Sequence, residues 1–217
     1  MHTPSLLRRA EHEALKRVHM SGSVLDLGGD TRSEYRTLFG RSCAVTTLNA
    51  DPDADPDIVH DLETPLPIES ASFDVVLLVN VLEHVFNYRA LLQESVRVLK
   101  PGGNIVVMVP FLFPVHPSPR DFYRFTREAL QREFQSLGLV KVRVTPLGTG
   151  VFSVRHLFLN RLLPRVVRLL SYYTLRYAIV VLDALFAKIG RATGKKYDPA
   201  DYALGYCAVA EKPDVTH

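Results

Sequence analysis

The stretch Val24-Leu25-Asp26-Leu27-Gly28-Gly29-Asp30 constrains the fold of this chain more than any other. A short apolar strand runs straight into a glycine pair and an acidic turn. A strand buried on both faces of a parallel sheet is apolar along its length, and a glycine at its end lets the backbone approach a ligand closely. The stretch therefore reads as the first strand of a nucleotide-binding α/β sheet, with the ligand expected outside its carboxyl end.

The remaining segments are spaced as if wound onto that strand. Residues 3–20 predict an amphipathic helix that Ser21-Gly22-Ser23 breaks. Strands are expected at 44–49, briefly at 57–61, and at 73–80, where Phe73-Asp74-Val75-Val76-Leu77-Leu78-Val79-Asn80 is nearly continuous apolar sequence. Residues 90–99 carry Leu91, Leu92, Val96 and Leu99 at helical spacing, and Lys100-Pro101-Gly102-Gly103 stops that helix before a strand at 104–110. A Pro-rich aromatic loop, 111–125, leads to a helix capped by Thr126, and further strands are expected at 139–144 and 203–211. Strands alternating with helices at this interval predict right-handed crossovers and a mostly parallel sheet.

Composition narrows the setting. With 217 residues and 47% hydrophobic content, one domain with an embellishment is expected. Cys43 and Cys207 lie far apart and form no CxxC pair, so neither a disulfide framework nor a metal site is expected, and a cytoplasmic, reducing setting fits. Arg8, Arg9, Glu11, Glu13, Lys16 and Arg17 interrupt the N-terminal apolar residues, which argues against a secretion signal.

Charge is unevenly placed. Between Arg155 and Lys196 stand nine basic residues against one acid, Asp183, so that segment carries +8 and the remainder −5 of the net +3. The segment reads as helical from 152 to 197, and its most apolar part, 177–187, is shorter than the ~20 residues that span a bilayer. Three readings stay open: a peripheral contact with an anionic membrane surface through 155–196, a buried packing cap, or a dimer face. Nucleic acid is not expected from so small a net charge.

Three stretches together resemble the class I S-adenosylmethionine-dependent methyltransferases of the small-molecule and lipid-precursor type. They are Val24 to Gly29, Leu66-Pro67-Ile68-Glu69-Ser70-Ala71-Ser72-Phe73-Asp74, and Val81-Leu82-Glu83-His84-Val85 continuing to Arg97-Val98-Leu99-Lys100-Pro101-Gly102-Gly103. His116-Pro117-Ser118-Pro119-Arg120-Asp121-Phe122-Tyr123-Arg124-Phe125-Thr126 is similar to a signature after the fifth strand of one subgroup. The resemblance implies a Rossmann-like seven-stranded sheet ordered 3-2-1-4-5-7-6 with strand 7 antiparallel. It divides the chain into an N-terminal helix (1–21), a sheet core (22–150 and 200–212) and a basic helical insertion (151–198) between strands 6 and 7.

The resemblance also implies site residues. Asp26, Gly28 and Gly29 would cradle the methionine part of S-adenosylmethionine. Asn49 stands where the family carries a ribose-binding acid, with Asp51 as its substitute, and Asp61 and Leu62 would meet the adenine. Asn80, at the end of strand 4, falls at the cofactor edge, but the Asn-Pro-Pro-Tyr type continuation of amino-directed nucleic-acid enzymes is missing. Asp30 replaces the second glycine of the usual Gly-x-Gly. Either His84 or His116 would serve as the base for an oxygen nucleophile, since imidazole titrates near neutrality. Asp121, Tyr123 and Arg124 are candidates for substrate contact, with Arg124 suited to a carboxylate or phosphate, while a mutual brace between Asp121 and Arg124 is the alternative. The implied reaction is methyl transfer to a small or lipid/glycan-linked acceptor, at oxygen. A non-catalytic relative that binds a nucleoside or a protein or membrane partner is the competing reading.

Overall fold

The computed structural model of the protein describes residues 5–30, 34–39, 43–117, 119–193 and 198–214. Ser118 of the expected loop signature lies outside them. Strands β1 (Gly22–Leu27), β2 (Cys43–Asn49), β3 (Ile58–Val59), β4 (Phe73–Val79), β5 (Leu99–Pro110), β6 (Val140–Thr149) and β7 (Ala203–Glu211) form one sheet in the order β3-β2-β1-β4-β5-β7-β6. Strands β1 to β5 pair in parallel, and β7 is antiparallel to both β5 and β6. The order implied by the family resemblance is the order found.

Alternation along the central strands splits the core into two layers. Leu25, Leu27, Val76, Leu78, Ile105 and Val107 face helices α2 (Tyr88–Val98) and α3 (Arg127–Ser136), meeting Leu91, Leu92, Leu130 and Phe134. Val24, Val75, Leu77, Val106 and Met108 face the other side, where α1 (Leu6–Leu15) contributes Leu7 and Leu15 and α4 (Val151–Arg161) contributes Leu157. Strands that serve both layers have little room for polar residues, and the buried Asp26 of β1 is the exception among β1, β4 and β5 in this sheet's centre. Their sequences read as the apolar runs from which they are recognised.

Element ends differ from expectation for local reasons. Strand β5 begins at Leu99, because Phe73 pairs with Leu99 before the register shifts to Val75 opposite Asn104. Lys100 to Gly103 thus both stop α2 and form an irregularity in the ladder, held by Lys100 Nζ donating to the Asp74 carboxylate at 2.9 Å. Strand β6 runs to Thr149 because β7 pairs with it down to Ala203. Helix α1 is shorter than its apolar pattern, starting where the Ser5 hydroxyl accepts from Arg8 N at 3.1 Å and ending at Leu15.

Between β6 and β7 stand α4 and the 28-residue α5 (Arg165–Ala192). Asp183, the one acid between 155 and 196, is buried and accepts from Phe152 N, Ser153 N and Ser153 Oγ at 2.9, 3.0 and 2.7 Å. It caps the start of α4 from the side of α5. Gly150 enters this joint at φ +116°, and a Cβ there would lie 2.1 Å from the Asp183 carboxyl carbon. Ile179, Asp183 and Ala187 form the buried stripe of α5, while Tyr177, Val180, Val181, Leu185, Phe186 and Ile189 are exposed. No helix among the described residues is long and apolar enough to cross a membrane.

Candidate active site

The strand order reverses between β1 and β4, and the loops leaving their carboxyl ends diverge there, which opens a crevice. A cavity of about 1120 Å³ occupies it. Gly28, Asn49, Asp51, Asp61 and Leu62 line one end, and Asn80, His84, His116 and Arg120 line the other. Ser5, Leu7, Arg8 and Glu11 of the N-terminal segment also line it. Six of the eight expected cofactor residues and both expected histidines therefore line one space.

At the first end the polar groups are largely committed to one another. Gly28 turns at φ +76°, and a Cβ there would lie 2.5 Å from Val81 Cγ2, so only glycine fits the turn. Gly29 packs over Asp26, whose carboxylate is fully buried and accepts from the Tyr35 hydroxyl at 2.9 and 3.2 Å. Burial pushes the Asp26 carboxyl up to about 7, with the Tyr35 hydrogen bond working against the shift. Asp26 and Gly29 stand behind the turn, and Gly28 is the residue of the three that lines the cavity.

Asn49 shows why an amide suits its position. Its Nδ2 donates to the carbonyls of Gly28 and Gly29 at 3.0 and 3.2 Å, and its Oδ1 accepts from Asp51 N at 3.0 Å. A carboxylate could not donate to those carbonyls. The neighbouring Asp51 lines the cavity, with Oδ1 accepting from Asp53 N at 3.0 Å, and Asp61 accepts from Glu63 N at 2.9 Å.

The other end is built from the chain after β4 and the loop after β5. Asn80 takes φ +54°, its N donates to Met108 O at 2.8 Å, and its buried Oδ1 has no hydrogen-bond partner. A short helical turn, Leu82–His84, follows. It buries Leu82 and Glu83 completely and leaves His84 facing the cavity. The rings of His84 and His116 meet edge to face at 5.1 Å.

Glu83 lies between them, with Oε1 at 3.7 Å from His84 Nε2 and 3.8 Å from His116 Nε2. Neither of its oxygens receives a hydrogen bond, and burial pushes its carboxyl up to about 8. Burial lowers His116, opposed by the nearby Asp121 carboxylate. Sequence reasoning passed over Glu83. The usable signal was an acid set among Val81, Leu82 and Val85, which are all buried.

In the loop after β5, Asp121 and Arg124 brace each other. Arg124 Nη2 donates to Asp121 Oδ2 at 2.7 Å, and the same guanidinium reaches the carbonyls of Phe113, Pro114 and Tyr123. The guanidinium holds the Asp121 carboxyl down at about 2, and Asp121 also accepts from His116 N at 2.8 Å. Tyr123 donates to Phe86 O at 3.0 Å and stands in a ring cluster with Phe86, Tyr88, Phe122 and Phe125. From this loop the cavity is lined by Phe113, Pro119, Arg120 and Phe122 in addition to His116. Asp121, Tyr123 and Arg124 shape the wall from behind.

Glu11 of α1 also escaped the sequence reading. It is buried with Arg8 Nε 3.8 Å from its Oε2, and its carboxyl is raised by burial, with Arg8 and an Asn80 hydrogen bond acting in the opposite sense. This end of the cavity thus collects the buried Glu11 and Glu83 and the half-buried Asn80.

A family model described as a methyltransferase domain matches residues 28–107. A demethylmenaquinone methyltransferase of Tropheryma whipplei is 35% identical over 95 residues, which are 39% of this chain and 40% of that protein. A probable S-adenosylmethionine-dependent methyltransferase of Mycolicibacterium smegmatis is 41% identical over 54 residues, 25% of this chain and 21% of that one. The chain spans less than half the length of these curated relatives. Among solved structures, a methyltransferase from Archaeoglobus fulgidus superposes with a TM-score of 0.61 at 16% identity over 94% of each chain. Phosphoethanolamine N-methyltransferase 2 of Haemonchus contortus, in complex with S-adenosyl-L-methionine, gives 0.60 at 17% identity over 94% of this chain and 52% of its own. The fold is that of the class I S-adenosylmethionine-dependent methyltransferases.

Proposed function

We propose that this chain, a class I methyltransferase fold with a methyltransferase domain over 28–107, transfers a methyl group from S-adenosylmethionine to an oxygen of a small or lipid-linked acceptor. One observation carries the reading. A single cavity joins the Gly28 turn and the acids Asp51 and Asp61 to the edges of His84 and His116. The cofactor supplies a methyl group already activated by its sulfonium, so the protein's share is positioning, exclusion of water and removal of a proton.

The residues divide that share. The turn at Gly28 and Gly29, backed by Asp26, leaves backbone without side chains where the methionine part would lie. Asp51 takes the ribose hydroxyls, because the Asn49 amide is committed to the turn. Asp61 and Leu62 take the adenine. His84 and His116 receive the acceptor hydroxyl and draw off its proton as the new bond forms. The α1 segment covers the cavity and keeps water from the transfer.

A lipid-linked acceptor is favoured by the surface of α4 and α5. Among their described side chains the acid Asp183 is buried, whereas the basic Arg155 and Lys188 are exposed, as are Val180, Val181, Leu185 and Ile189. Flotation with anionic vesicles at low salt should carry the protein upward and neutral vesicles should not; absence of binding to both removes the membrane part of the proposal.

Calorimetry with S-adenosylmethionine and S-adenosylhomocysteine tests the core reading. Both should bind, Asp61→Ala should weaken both, and His116→Ala should spare binding while abolishing turnover. If neither nucleoside binds, the non-catalytic reading, which Asp30 and Asn49 favour, replaces this one.

A further inference from the structure

We infer that Glu83, His84 and His116 form a binding site for one divalent transition-metal ion at the acceptor end of the cavity. The inference goes beyond the methyl-transfer reading and revises one part of it: an ion on both Nε2 atoms would occupy the lone pairs that reading gives to the base, so His84 and His116 would hold the metal instead of taking the proton. It follows from where the hydrogens must be.

His84 Nδ1 lies against the carbonyl oxygen of Arg120. A carbonyl only accepts, so the proton of the neutral ring sits on Nδ1 and Nε2 is a bare lone pair. His116 repeats the pattern: its Nδ1 is 3.2 Å from Pro114 O and 3.2 Å from Asp121 Oδ2, both acceptors. Its Nε2 is bare as well. Both Nε2 atoms face Glu83 Oε1, at 3.7 and 3.8 Å, and the fully buried Glu83 carboxylate has no donor of its own. Three potential ligand atoms converge with no hydrogen-bond donor of another residue aimed between them, an arrangement relieved by a proton on Glu83 or by a metal ion at its centre.

The spacing suits a metal. With bonds of about 2.1 Å, two ligands at octahedral or tetrahedral angles stand about 3.0 to 3.4 Å apart. The three ligand atoms here lie within 4.8 Å of one another. The closure required falls to His116, whose side chain is 30% exposed on a loop. The surroundings suit it too. Histidines that ligate metals donate the other ring N–H to a carbonyl or carboxylate, which fixes the ring and raises its basicity. Arg120 O and Asp121 occupy those positions here. Two imidazoles and one carboxylate select ions such as Zn²⁺, Co²⁺, Mn²⁺ or Fe²⁺ over Mg²⁺ and Ca²⁺, which prefer oxygen ligands. Three protein ligands leave positions open toward the cavity, where an acceptor oxygen would bind.

The test uses the full chain, stripped with a chelator and titrated with Co²⁺ while its visible ligand-field absorption is followed, then back-titrated with Zn²⁺. One equivalent of Co²⁺ should bind and be displaced by Zn²⁺. Glu83→Gln, which keeps the shape of the side chain, and His116→Ala, on the loop, should each weaken binding by 100-fold or more, and Asp121→Asn by about 10-fold. A protein that takes up no stoichiometric Co²⁺ or Zn²⁺, or one whose uptake is unchanged in Glu83→Gln and His116→Ala, overturns the inference; a proton shared between Glu83 and a histidine would then satisfy the cluster. Near-ultraviolet circular dichroism reports folding of each variant. S-adenosylhomocysteine calorimetry on the same samples separates the two proposals: metal uptake without nucleoside binding sinks only the methyl-transfer reading, and nucleoside binding without metal uptake sinks only this one.

Discussion

The two ends of the cavity are built on opposite principles. At the Gly28 end the polar groups already have partners: Asn49 clamps two carbonyls, Asp61 caps a turn, and Asp26 holds Tyr35. At the Glu83 end, Asn80 and Glu83 keep buried oxygens without a hydrogen-bond partner, and Glu11 has Arg8 at 3.8 Å. A satisfied network is rigid before its ligand arrives, whereas bare buried oxygens are stabilised only when something binds them. The first end is therefore a preformed mould, and the second is a demand for a cation or a hydrogen-bond donor.

The sharpest way to break the mould is Gly28→Val. A β-branched residue at φ +76°, with its Cβ 2.5 Å from Val81 Cγ2, deforms the turn, and S-adenosylhomocysteine affinity measured by calorimetry should fall by roughly 100-fold. Asp26→Asn probes what stands behind the mould. Asp26 has a folded pKa of about 7 against an ordinary 3.8, so the native state holds a proton that the unfolded chain releases. Its contribution is fully present below pH 4 and is lost as pH rises to 7. Urea denaturation should show Asn gaining on the wild type by on the order of 1 kcal/mol per pH unit across that window, and no further above it.

On the opposite side, Arg124→Ala removes the partner of the buried Asp121 carboxylate and loosens the loop that carries His116. A loss of about 2 kcal/mol is expected at pH 7. The folded pKa of Asp121 is lowered to about 2, so the stability that Arg124 confers is present above pH 4 and should vanish as pH falls toward 2. The smallest effect belongs to neither end. Arg89→Ala breaks a surface pair with Glu133 and should move the urea midpoint least of the four, and less still with added salt.

The same contrast explains what could be read from the chain. Periodicity reports burial, so the apolar runs at 24–27, 73–79 and 104–110 announced β1, β4 and most of β5. The strand order came from the family resemblance, because pairing between distant segments leaves no local trace. Gly28, Asn49, Asp61 and His84 could be placed on the cavity because their positions follow strand ends. Side-chain direction could not. Asp121, Tyr123 and Arg124 sit on the right loop and turn into its frame, while the intervening Phe122 and the preceding Arg120 line the cavity. Glu83 was hidden for a different reason: a carboxylate buried without a donor looks in sequence like any solvated acid. Glu11 was read as a break in an apolar segment, since nothing local shows that α1 lies over the cavity.

The layer beneath α1 has a consequence for how the chain can be cut. Leu7 and Leu15 of α1 share one apolar cluster with Leu157 of α4 and with Leu147, Leu204 and Cys207 of the outer strands. The cover of the cavity and the basic helices are thus seated on common ground, although some 140 residues separate them along the chain. Helices α4 and α5 are not a detachable appendage. A minimal version that replaced 151–198 with a short linker would take Leu157 out of the apolar cluster on which α1 rests beside the cavity.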